Sequence, residues 1–121
     1  MTAAVTDRTL SVADGLSKTF VRLRDIHPEM TILQAMCFLT VARHPGITQR
    51  ALSAEVGSSD SATSRILAAL SDLGDRKMAS GFDLIKMTTD KSDRRVKQVR
   101  LTPKGQRLLA DITEDILKSL Q

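Results

Sequence analysis

The sequence predicts a mainly α domain with one small β-hairpin, an α+β fold. Three observations predict it. Apolar residues recur at steps of three and four over most of the chain, as on one face of a helix. Two segments only, "FDLIKMT" (82–88) and "VKQVRLT" (96–102), read as strands, and the polar tip "TDKSDRR" (89–95) joins them. The chain has 121 residues, 41% of them apolar, which suits a single domain with a buried core.

The first ten residues show no clear period. From Ser11, the residues Val12, Leu16, Phe20 and Leu23 follow at steps of four, four and three, the stripe of an amphipathic helix over 11–25. His27-Pro28 ends it, because a residue before proline is pushed out of the α region. A second helix starts at Thr31, which with Gln34 three residues on forms a capping box, and it stops at Pro45-Gly46. Its apolar residues run almost all round, so it is expected to be central and buried.

"TQRALSAEVG" (48–57) is a short helix with Thr48 as its cap and Gly57 as its exit. "SSDSATSRILAALSDLG" (58–74) predicts a helix from about Ser59 to Leu73, capped by Ser59 or Ser58. Thr63, Ile66, Leu67 and Leu70 face inward there, while Ser61, Ser64, Arg65 and Ala68 fall on another side. Two helices separated by a few residues around a glycine fit a helix-turn-helix, with the second helix as the reader. "DRKMASG" (75–81) reads as a loop, and the hairpin follows. Thr102 then caps a last helix with Pro103 at its first position, and Leu108, Leu109, Ile112, Ile116 and Leu120 form its stripe. A helix-turn-helix followed by a basic hairpin is a winged helix.

The net charge of +4 is unevenly placed. Between Arg43 and Arg107 there are 13 basic and 7 acidic residues, whereas the remaining segments carry 5 basic and 7 acidic. That is the footprint of a polyanion partner, although a generic basic surface has the same charge. Aromatics are 2%, with no Trp or Tyr, which argues against stacking platforms for single-stranded nucleic acid. One cysteine, Cys37, excludes an intramolecular disulfide framework, and its apolar neighbours make it a structural thiol rather than a redox sensor. His27 and His44 stand alone, so no metal or other cofactor is expected. No nucleophile–base–orienter set is visible, which argues against an enzyme. Neither a signal-peptide core nor a membrane-length apolar stretch occurs, so a cytoplasmic location is expected.

Three segments together resemble the multiple-antibiotic-resistance regulator (MarR) family of bacterial transcription factors, in short, phage-like form. "MTILQAMCFLTVARHPGITQRALSAEVG" is similar to that family's buried helix and the first half of its helix-turn-helix. "GSSDSATSRILAALSDLG" matches its recognition segment, with Ser64-Arg65 where the family usually has Thr-Arg. "DRRVKQVRLTPKGQRLL" resembles the second half of the wing, including the family's Asp-x-Arg at Asp93 and Arg95. Residues 74–93 are several longer than the usual spacing, so a displaced first wing strand is expected.

The resemblance implies a single winged-helix domain over 1–121, with a DNA-binding core at 31–101 and dimerisation helices at 11–25 and 103–120. It implies a homodimeric regulator of transcription, a repressor, on double-stranded DNA. Ser59, Ser61, Ser64 and Arg65 would serve the major groove, and Thr48, Gln49 and Arg50 nearby phosphates. Lys91, Arg94 and Arg95 would serve the minor groove, with Asp93 orienting Arg95. The bland alternative for the tip is a solvated turn with a local ion pair. Val12, Leu16, Phe20, Leu23, Leu109, Ile112, Ile116 and Leu120 are either core or, as the resemblance implies, a dimer interface. The family's small-molecule inducer is not indicated, because few aromatics and short helices argue against a sizeable pocket. A protein-interaction module docking to transcription or replication machinery is the rival class.

Overall fold

A computed structural model describes residues 6–74, 78 and 80–121. Five helices and three short strands follow in the order α1 (Asp7–Ile26), α2 (Ile32–Arg43), β1 (Ile47–Thr48), α3 (Gln49–Val56), α4 (Asp60–Leu70), β2 (Ile85–Thr89), β3 (Lys97–Leu101) and α5 (Pro103–Ser119). The sheet is antiparallel in the order β1-β3-β2.

The caps read from the sequence are in place. The Thr31 side chain accepts from the Gln34 backbone N–H at 3.0 Å, while the Gln34 side chain accepts from the Thr31 N–H at 2.9 Å. Thr48, Ser59 and Thr102 each accept from the backbone N–H three residues on. Gly57 closes α3 in the left-handed region, at φ 71°. α1 begins four residues earlier than its stripe suggested, because the Thr6 side chain caps it through the Thr9 N–H at 3.2 Å. α4 ends three residues earlier, at Leu70, where Ser71 turns to an extended conformation.

α2, α3, α4 and the sheet enclose the core, in which Cys37, Phe38, Val41, Leu52, Leu67, Leu70, Leu84 and Val99 are fully buried. α2 is central but not wholly covered: Ile32, Met36 and Leu39, at helical spacing, are 73%, 43% and 38% exposed. α1 and α5 pack side by side. Gly15 faces Ile116 and Ser119 of α5, Arg22 forks onto Asp115 at 2.7 and 3.1 Å, and Ser119 donates to Asp14 at 2.8 Å.

Of the segment read as the first wing strand (82–88), only 85–88 is strand: β2 begins at Ile85, because the amides of residues 82–84 bond to the end of α4. β2 pairs with β3 through five residue pairs, from Ile85↔Leu101 to Thr89↔Lys97. The chain leaving α4 is stitched back onto that helix's own end. The Phe82, Asp83 and Leu84 amides donate to the Ala69, Ser71 and Leu70 carbonyls at 2.9, 3.1 and 2.8 Å. Glycine is required at 81, where a Cβ would overlap the Ser71 carbonyl. Part of "DRKMASG" (75–77 and 79) lies outside the described residues.

Candidate nucleic-acid interface

α4 presents two faces, as its sequence pattern requires. Thr63, Leu67, Ala69 and Leu70 are buried, and Ser61, Ser64 and Arg65 are exposed at i, i+3 and i+4, which puts them on one side of the helix. Thr63 owes its burial to a bond from its hydroxyl to the Ser59 carbonyl at 2.9 Å, which satisfies the polar group inside. The exposed side chains are short around the first turn, so a ligand's backbone can come close to the helix there. Ser59 itself accepts from the Ala62 N–H at 3.1 Å and keeps its own proton free to donate.

α3 approaches the same region by its N-terminus. Thr48 caps it, Gln49 is half-buried and Arg50 is exposed.

The wing tip is ordered by its own carboxylates. The Asp90 amide donates to the Val96 carbonyl at 2.9 Å and the Val96 amide to the Asp93 carbonyl at 3.0 Å. Asp90 accepts from the Ser92 N–H and hydroxyl at 2.8 and 2.7 Å, and these bonds hold its carboxyl below the usual range. Asp93 grips Arg95 at two points, Nε to Oδ1 at 3.1 Å and Nη2 to Oδ2 at 3.2 Å, and also accepts from the Arg95 N–H at 3.0 Å. The bonds from Arg95 lower the Asp93 pKa, so this fork persists across neutral pH. The Arg95 side chain is nevertheless 90% exposed, so a fixed guanidinium is displayed to solvent. Lys91 and Arg94 are exposed beside it.

Thr48, Gln49, Arg50, Asp93 and Arg95 converge on one open groove of about 560 Å³. Asp60, Val96 and Lys97 line it as well and were not anticipated. Asp60 is a first-turn acid of α4, and nothing in the sequence around it points to this groove. Lys97 follows from the alternation of β3, once the register is known.

Solved structures share this fold. RV1404 from Mycobacterium tuberculosis matches with a TM-score of 0.71 and 21% identity, over 99% of this chain and 80% of that one. The S. aureus MepR–DNA complex gives 0.72 and 19%, over 91% and 82%. The transcriptional regulator Tm0710 from Thermotoga maritima gives 0.67 and 19%, over 90% and 66%. Structures of MarR and of a MarR family transcription regulator match too. The fold is that of the MarR regulators.

No protein-family model matches the sequence, and no curated protein is similar to it by sequence. The chain spans 62% to 82% of the length of the MarR-like structures it matches. The eight apolar residues read from the first and last helices divide into three sets. Val12, Leu16, Phe20 and Leu120 are exposed at 47%, 51%, 59% and 51%. Leu23 and Ile112 are a correction to the dimerisation set: they are buried in the chain's own core, because the inner edges of both stripes are spent on intramolecular packing. Leu109 and Ile116 pack against that core while partly buried.

An open groove of about 410 Å³ lies between α1 and α2, lined by Phe20, Leu23, His27, Met30, Ile32 and Ala35 among others. Among the described residues no cluster of His, Cys, Asp and Glu could hold a metal, and no helix is long and apolar enough to cross a membrane.

Proposed function

We propose that this chain is a MarR-family regulator that binds duplex DNA sequence-specifically as a homodimer and represses transcription by occupying an operator. α4 lies in the major groove, where Ser61 and Ser64 donate to phosphate or base edges. Arg65 reaches guanine or clamps phosphate. Thr48, Gln49, Arg50 and Ser59 contact the backbone at the two helix starts, where unpaired N–H groups favour anions. Arg95, with Lys91 and Arg94 beside it, enters the adjacent minor groove, whose negative potential is greatest in narrow A·T tracts.

The observation that carries this reading is the convergence of the α3 and α4 starts with a guanidinium fixed by Asp93 in one exposed groove. A solvated ion pair would need neither the groove nor the neighbouring helix ends. The exposed Val12, Leu16, Phe20 and Leu120 support the dimer, since a two-fold contact would cover them and set two reading heads one helical turn apart.

Selection from randomised duplex at near-physiological salt, followed by sequencing of the bound fraction, tests the proposal. A two-fold-symmetric motif with half-sites about ten base pairs apart is expected. Retention without enrichment would contradict sequence reading, and no retention would leave the basic face to an acidic protein partner.

A further inference from the structure

Two carboxylates line the groove between α3, α4 and the wing, and they differ in kind. Asp93 is neutralised in place by its two-point contact with Arg95. Asp60, at the first position of α4, is exposed and forms no ion pair or side-chain hydrogen bond among the described residues. It is not needed as a cap, because Ser59 already performs that role through the Ala62 N–H. A carboxylate in the first turn does favour the helix dipole, but that benefit is available on any side of the helix. Here it stands among Arg50, Arg95 and Lys97, on the surface a polyanion would occupy, where it opposes phosphate.

We infer that Asp60 is a selectivity residue of the DNA interface, an inference that rests on the reading above. It weakens binding to arbitrary duplex and is tolerated where the facing base offers an amine. In the major groove only cytosine N4 and adenine N6 donate, whereas guanine and thymine present acceptors that repel a carboxylate. Adenine also carries the N7 acceptor beside its amine, and cytosine does not. The base that fits Asp60 is cytosine. Part of the specificity is thus a penalty on wrong sites rather than a gain at the right one.

Wild type, Asp60→Asn and Asp60→Ala are compared in two measurements, selection from randomised duplex and anisotropy titration of one arbitrary duplex at fixed salt. Wild type is expected to select cytosine at one position per half-site. Asp60→Asn moves that position to adenine, because an amide accepts from N6 and donates to N7. Asp60→Ala erases the preference there. Both variants are expected to hold arbitrary duplex roughly three- to tenfold more tightly, as one opposing charge is removed. A purely structural role at the helix start changes stability and leaves base choice alone. Variants that select the same base at every position and bind arbitrary duplex no more tightly overturn the assignment while leaving DNA recognition standing. A wild type retained by no duplex overturns both.

Discussion

Removing the Arg95 guanidinium and removing its orientation are separable perturbations, and the wing geometry fixes what each should do. Arg95 is 90% exposed and, among the described residues, its side chain is bonded only to Asp93, so Arg95→Ala leaves the core untouched and the fold intact. One cation withdrawn from phosphate lowers the slope of log affinity against log salt by about 0.9. A single inserted arginine contributes on the order of 1–2 kcal/mol, so affinity for an A·T-flanked site should fall roughly five- to thirtyfold at near-physiological salt. Asp93→Asn keeps the cation and weakens the fork. Its salt slope should therefore stay within error of wild type while its preference for A·T over G·C flanks declines. The assay is a fluorescence anisotropy titration on two duplexes that differ only in the flanks, repeated between 50 and 200 mM salt (a span chosen from the general behaviour of such complexes). Unchanged affinity and slope in Arg95→Ala would refute the placement of the wing. Equal loss of slope in both variants would refute the orienting role of Asp93.

Three further outcomes are expected. Burial pushes the Cys37 thiol up to about 11, so the native protein should resist iodoacetamide at pH 8 and react only with denaturant present; rapid labelling of the folded chain would contradict the buried assignment. Phe20→Glu charges an exposed apolar side chain, so sedimentation should show monomer and operator affinity should drop at least tenfold; an unchanged dimer would move the interface elsewhere. Hydrogen bonds from Arg22 hold the Asp115 carboxyl below its ordinary 3.8, and those from Lys18 and Ser119 do the same for Asp14. These depressed values contribute stability that is present above the ordinary carboxylate range and lost as pH falls through the lowered ones. Tm should hold down to about pH 5 and decline below about pH 4, less steeply in Arg22→Ala; identical acid limbs would exclude the α1–α5 bridge as a contributor.

Local chemistry explains what the sequence revealed. Caps depend on a few adjacent residues, so Thr31 with Gln34, Thr48 and Gly57 could each be placed from the chain alone, and the α4 cap narrowed to Ser58 or Ser59, of which the structure uses Ser59. The alternation of "VKQVRLT" marks the second wing strand for the same reason, whereas the first begins three residues into "FDLIKMT", because the amides of residues 82–84 are taken by the end of α4. Burial of helix faces was less legible, because periodicity says that a stripe is apolar and not what covers it. Leu23 is buried while Leu16 on the same stripe is half exposed, and α2, apolar all round, keeps one face open. Asp60 is not legible in the sequence because its surroundings come from Arg50, Arg95 and Lys97, residues 10, 35 and 37 positions away in the chain. The Asp93–Arg95 fork was legible because its partners are two residues apart.

The stitch between α4 and the wing bears on how the groove keeps its shape. Three carbonyls at the end of α4 accept from amides of the segment that enters β2. The same segment is held from the other side: the Thr102 hydroxyl donates to the Asp83 carbonyl at 2.6 Å, and Lys104 Nζ donates to the Phe82 carbonyl at 2.8 Å. Asp83 takes a left-handed φ of 56°, an uncommon conformation for a side-chain-bearing residue, and the surrounding bonds over-determine it. α4, the base of the hairpin and the start of α5 are therefore one hydrogen-bonded unit. A wing mounted on a free loop would lose ordering entropy each time its arginine entered a groove. Here the base is fixed by backbone bonds and the tip by Asp90 and Asp93, so on the proposed reading less of the wing is left to order when Arg95 enters a groove.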